Sequence, residues 1–179
     1  MTTAAPRREL LLEAAADLFA ARGFHAVGID DIGEAAGITG PGVYRHFPSK
    51  QALLESLCDR TMNRMLQLAQ GPGVLEELVD LHVDLVVEER NLISVWVREQ
   101  RALTEETRRS LRKRMRSYEA IWREALAPAR GDLDGPQLAL TVGAALAMLN
   151  TTSLIDSPLP PPGRQQVLRR LALASLLSG

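Results

Sequence analysis

Apolar residues recur every three or four positions through most of the chain, and no stretch alternates in the two-residue rhythm of a strand. The first periodic segment covers residues 7–22. It places Leu11, Ala14, Ala15, Leu18 and Phe19 on one face, and Gly23 ends it. A brief second helix over 29–36 turns Ile32, Ala35 and Ala36 inward. Gly37 interrupts the pattern, and Thr39 is a good N-cap for a third short helix with Pro41 in its first turn. Val43 and Phe47, four apart, face a core. Pro48 closes that helix, and Ser49 caps a longer one over 50–69, with Leu53, Leu54, Leu57, Met62, Met65 and Leu66 as its apolar positions.

Gly71-Pro72-Gly73 reads as the first true linker. Five further helices are expected, over 74–89, 91–103, 104–126, 137–155 and 164–177. Thr104 with Glu105 and Glu106 suits a helix start, and the run 158–163 breaks the helix before it. The fold expected is all-α. A three-helix, homeodomain-like helix-turn-helix domain occupies residues 1–50, and a helical domain occupies 51–179.

Composition narrows the function classes. Only Lys50 and Lys113 are lysines, and the formal net charge of −1 announces no nucleic-acid partner. A single cysteine, Cys58, forbids an intramolecular disulfide, and His25, His46 and His82 lack metal-ligand spacing, so no metal or cofactor is expected. No nucleophile–base constellation appears, so an enzyme is not expected. No secretory leader is apparent. The most apolar stretch, 138–149, is shorter than the roughly 20 residues that cross a bilayer. A cytoplasmic protein without membrane contact is expected.

The outward positions of the third helix carry the chemistry. Thr39, Gly40, Gly42, Tyr44, Arg45 and His46 lie there, with Lys50 just beyond. In a helix-turn-helix the second helix of the motif enters the major groove. Hydroxyl, imidazole and ammonium groups suit phosphate oxygens, and an arginine can pair with guanine. Gly40 and Gly42 carry no side chain, so backbone can approach the groove closely. The run Ile32-Gly33-Glu34-Ala35-Ala36-Gly37-Ile38-Thr39, continued by Gly42-Val43-Tyr44-Arg45-His46-Phe47 and Lys50, resembles the signature of the TetR family of transcriptional regulators. The resemblance implies an all-α homodimer that usually represses transcription until a small molecule binds. It implies phosphate contacts by Tyr44, His46 and Lys50, and base or backbone contacts by Thr39, Gly40, Gly42 and Arg45. Gly28 departs from the pattern, because the family usually has Ser or Thr there. Residues 1–50 hold five basic side chains (Arg7, Arg8, Arg22, Arg45, Lys50) against six acidic ones (Glu9, Glu13, Asp17, Asp30, Asp31, Glu34), so bulk charge does not drive DNA affinity.

An effector pocket needs apolar walls with a few placed polar groups. Trp96, Glu99, Tyr118, Trp122 and Asn150 are the expected lining for a largely apolar effector. For Tyr118 and Trp122 plain core packing is the competing reading, and for His82 a buried histidine. The arginine run of the 104–126 helix reads as a solvated face balanced by glutamates; a second nucleic-acid site and an acyl-CoA-type effector are its alternatives. Residues 137–155 are apolar on nearly every side, and Val167, Leu168, Leu171 and Ala174 give the last helix a matching stripe. The last two helices of two chains would therefore form a four-helix dimer interface.

Overall fold

The computed structural model describes residues 4–71 and 73–178. Pro72 of the expected linker lies outside them. Among the described residues there are nine α-helices and no strand. They are α1 (Ala4–Arg22), α2 (Ile29–Ala35), α3 (Gly40–Tyr44), α4 (Lys50–Leu68), α5 (Leu75–Glu88), α6 (Arg90–Arg98), α7 (Glu105–Leu126), α8 (Gly135–Thr151) and α9 (Pro161–Leu177). Short 3₁₀ turns, Gln100–Ala102 and Thr152–Leu154, follow α6 and α8.

The helix starts follow local chemistry. Ser49 Oγ accepts the Ala52 N–H at 3.1 Å, and Thr104 Oγ1 accepts that of Thr107 at 3.3 Å. Asp134 and Gln137 form a reciprocal capping box at 2.8 Å in each direction, which starts α8 two residues before its apolar pattern does. Other ends also differ from the expected ones. The 91–103 segment leaves the α-helix at Arg98 and tightens into a 3₁₀ turn, although its apolar rhythm continues. The proline run does not delay α9 to residue 164, because Pro161 and Pro162 sit in the first turn, where a missing N–H costs nothing.

One hydrophobic core joins the two expected domains. Helix α4 runs through it, burying Leu53, Leu54, Leu57, Cys58, Met62 and Met65 against α1, α5, α6 and α7. Helix α6 lies against both α1 and α4, while α5, α7, α8 and α9 complete a bundle. The Cys58 thiol is fully covered, and desolvation, aided by neighbouring carboxylates, pushes its pKa up to about 12, so it behaves as a small apolar side chain.

The stretch Gly135–Leu154 reaches 20 residues once the 3₁₀ turn is counted, so by length and composition it does qualify to cross a membrane, contrary to the expectation from 138–149. Its surroundings give it another role. Val142, Ala145, Leu146 and Leu149 face the bundle, and Asn150 is buried and hydrogen-bonded there. Burial on both sides does not occur within one chain, because Leu140 on the opposite face is 75% exposed.

Candidate functional site

Helices α2 and α3 meet through glycine. Gly37 turns the chain with φ +65°, a conformation that disfavours any Cβ. At Gly33 a Cβ would lie 2.6 Å from the Ile38 carbonyl oxygen and 3.2 Å from Val43 Cγ2, so only glycine lets the two helices pack this closely. Val43, Phe47, Ile32, Phe19 and Phe24 fill the small core beneath. Gly28 N–H donates to Asp31 Oδ2 at 2.6 Å, so the start of α2 is capped from within the helix, without the hydroxyl that Ser or Thr would supply.

Above this core, Thr39 and Arg45 are exposed, Tyr44 is 56% exposed and His46 is half-buried. None of these four side chains makes a hydrogen bond among the described residues. Gly42 faces inward more than the groove reading assumed. A Cβ on Gly42 would sit 2.7 Å from Ile38 Cγ2, and one on Gly40 would sit 2.4 Å from Asp30 Oδ1. Packing within the motif accounts for Gly42, whereas at Gly40 a Cβ would meet only the exposed Asp30 side chain, which can turn aside.

Lys50 stands differently from expectation. Its Nζ donates to the carbonyls of Phe24 at 2.8 Å and Val27 at 2.7 Å, and lies 4.5 Å from the Phe24 ring centroid. The α1–α2 connection turns sharply at Gly23, which has φ +81°, and the Lys50 ammonium gathers two of its carbonyls. Two of the three ammonium donors are thus spent inside the protein.

The expected effector lining is only partly brought together. His82 stands at the centre of a buried polar group that sequence reasoning left out of the site. Tyr118 O–H donates to His82 Nδ1 at 2.8 Å, and His82 Nε2–H donates to Asn150 Oδ1 at 3.1 Å, an arrangement that one neutral tautomer satisfies. Trp122 stands edge-on to His82 with centroids 5.7 Å apart and is fully buried; its Nε1–H lies near the Tyr118 hydroxyl without reaching hydrogen-bond geometry. Burial drives the His82 pKa down to about 4 and raises that of Tyr118. Tyr118 and Trp122 are therefore packed core. The only hint in the sequence was a histidine on an apolar stripe.

Trp96 and Asn150 do share a wall. They line an open cleft of about 510 Å³ with Arg98, Arg101, Arg108 and Thr151. Glu99 turns the other way, and its Oε1 accepts the Phe24 N–H at 3.1 Å, so it belongs to the joint with the helix-turn-helix and not to the cleft. A smaller apolar cavity of about 220 Å³, unanticipated from sequence, lies between α5, the Thr152–Leu154 turn and α9.

The family described as bacterial regulatory proteins, tetR family, matches residues 11–57, and the tetracyclin repressor-like C-terminal domain matches residues 73–154. The chain belongs to the TetR family. Among its TetR-type relatives, the transcriptional activator FasR of Mycolicibacterium smegmatis is 40% identical over 60 residues, covering 34% of this chain and 27% of FasR. The transcriptional repressor KstR2 of Rhodococcus jostii is 45% identical over 51 residues, covering 28% of this chain and 25% of KstR2. Each match thus spans about a quarter of the relative. In structure, AibR in complex with isovaleryl coenzyme A and operator DNA aligns with a TM-score of 0.78 at 22% identity, covering 93% of this chain and 96% of AibR. That likeness establishes the shared TetR fold over the full bundle. Its relatives in this family are named transcriptional regulators, not enzymes.

Proposed function

We propose that this regulator is a one-component repressor that binds double-stranded operator DNA as a homodimer and releases it when a small, largely apolar effector binds. The outer face of α3 carries the reading: Thr39, Tyr44, Arg45 and His46 stand on a glycine-packed unit with no partner of their own among the described residues. Such groups lose nothing inside the protein when they turn to DNA. Arg45 reads a guanine edge, and Thr39, Tyr44 and His46 hold phosphates. Gly40 and Gly42 contribute through the backbone. Lys50 serves mainly by fixing the loop behind them, with one donor left for phosphate.

The exposed apolar residues Leu140 of α8 and Leu171 and Leu177 of α9 support the dimer. Gly143 adds open room for a close helix, since a Cβ there would meet nothing within 4 Å. Two copies joined through α8 and α9 set their α3 helices about 34–36 Å apart, one turn of B-DNA. Trp96 and Asn150 form the effector's wall. Such a regulator works in the cytoplasm. AibR, a fold neighbour solved with both an acyl-CoA and operator DNA, supports the pairing of the two ligand types.

Selection of bound duplexes from a random library, followed by gel shifts at two salt concentrations, tests the reading. A palindromic site with half-sites one turn apart and a steep salt dependence is expected. No enriched site, or a monomer at micromolar concentration in size-exclusion chromatography, overturns it. Activation is the second reading, favoured by the name of FasR; a reporter driven by the selected site decides the sign.

A further inference from the structure

We propose that the cleft between the end of α6, the start of α7 and the last turn of α8 is an anion site, and that its ligand is an amphiphile with a carboxylate or phosphate head on an apolar chain. This deepens the effector reading above and rests on it.

Three guanidinium groups border one cleft: Arg98 at the end of α6, Arg101 in the 3₁₀ turn and Arg108 in the first turns of α7. Their donors outnumber their acceptors. Arg98 gives one bond to the Ala20 carbonyl at 3.1 Å, and Arg108 gives one to Leu103 at 3.2 Å. Arg108 Nε is buried without an acceptor in hydrogen-bond geometry; it faces Glu105 Oε2 in a salt bridge at 3.5 Å, and the other oxygen of that one carboxylate binds Arg112 at 2.9 Å, so a single acid is shared by two arginines. Arg101 is exposed and has no partner among the described residues. Glu99, the other nearby acid, is turned toward Phe24. Like charges gathered in one cleft repel unless an anion lies among them, and guanidinium groups bind carboxylate and phosphate through paired hydrogen bonds. Trp96 and Val97 supply apolar wall for a chain. The cleft volume falls in the ordinary range of small-molecule sites.

The back of this cleft is the joint with the DNA-binding unit. Over residues 98–104, Arg98 holds Ala20 O, Glu99 holds Phe24 N–H, Ala102 O accepts from Gln51 at 2.9 Å, and Thr104 donates to Glu55 at 2.9 Å. Ala20 and Phe24 flank the Gly23 turn that Lys50 gathers. The Arg98 guanidinium is already charged, and a full negative charge attracts it more than the Ala20 carbonyl dipole does, so a bound head group competes with Ala20 O for Arg98 and loosens α6 from α1.

Calorimetry on the full chain with octyl phosphate, octanoate and 1-octanol tests the site, with a gel shift on the selected operator alongside. Octyl phosphate and octanoate bind, 1-octanol binds at least tenfold more weakly, and Arg101→Gln weakens octyl phosphate at least tenfold with an unaltered melting temperature. Octyl phosphate also lowers the operator affinity of the unaltered protein. If none of the three binds, if 1-octanol binds as well as the anions, or if Arg101→Gln changes nothing, the anion site is overturned, and effector-driven release elsewhere in the bundle stands. If octyl phosphate binds through Arg101 and operator affinity stays the same, the anion site stands and release by this route falls.

Discussion

The helix-turn-helix and the aromatic centre of the bundle treat polar groups in opposite ways. Around α3 the polar side chains point outward and make no hydrogen bonds among the described residues, while glycines and a few apolar residues do the packing. Around His82 the main polar groups are buried and pair with each other across three helices. Unpaired groups at a surface are free to meet a new partner at little cost. Paired groups in a dry interior are expensive to disturb and fix one arrangement of α5, α7 and α8. On the proposed reading, recognition and rigidity are thus carried by different chemistry in different parts of the molecule.

The largest expected effect comes from breaking the paired half. His82→Ala removes a buried ring and strands both Tyr118 and Asn150, and is expected to cost about 3–5 kcal/mol by denaturant unfolding. Acid does the same reversibly. The His82 imidazole has an ordinary pKa of 6.5 and a folded value of about 4, so the native state holds fewer protons than the unfolded one between these values. The stability tied to its neutral form is complete above pH 6.5 and is lost as pH falls toward 4, about 3 kcal/mol in all. In His82→Asn that portion of the pH dependence, followed by melting temperature between pH 7 and 4, is expected to vanish.

The other half is expected to respond on DNA more than on stability. Lys50→Met sharpens the contrast because it falls on the border between them: it strands the Phe24 and Val27 carbonyls and is expected to cost about 2 kcal/mol of stability. The slope of DNA affinity against salt is expected to move by less than about one phosphate contact. Arg45→Ala is expected to leave the melting temperature unchanged and to cost about 1–3 kcal/mol of discrimination at one base pair, read by repeating the duplex selection. If Arg45→Ala keeps the same sequence preference, DNA shape and not this side chain does the reading.

Much of the α1–α4 region was legible because its determinants are local. Gly37, Thr39, Pro41 and Ser49 each act within a few residues of where they stand, and the apolar spacing of Val43 and Phe47 follows from helix geometry. What escaped were partnerships between residues far apart in the chain. Glu99 sits on an apolar stripe and was expected in a pocket, yet its acceptor role lies with the backbone of Phe24, 75 residues away. Lys50 fits a phosphate contact by position, but two carbonyls near the Gly23 turn hold it more closely. His82 and Asn150 both stand out as polar residues on apolar stripes, but nothing in their spacing says that they bond to each other or that Tyr118 completes the group. Periodicity places a side chain on a face; it does not say which polar atom waits opposite.

Helix α4 has a mechanical consequence. At 19 residues it is a rod of about 28 Å that starts beside the Lys50 clamp and runs along the bundle helices to a half-exposed last turn. A tilt of about 5° at the bundle end moves the other end by roughly 2.5 Å, a sizeable error against a groove repeat of about 34 Å. In a two-fold pair the displacement occurs twice, in opposite senses. A change too small to alter any single contact in the bundle is thus magnified into a misfit that operator DNA would register.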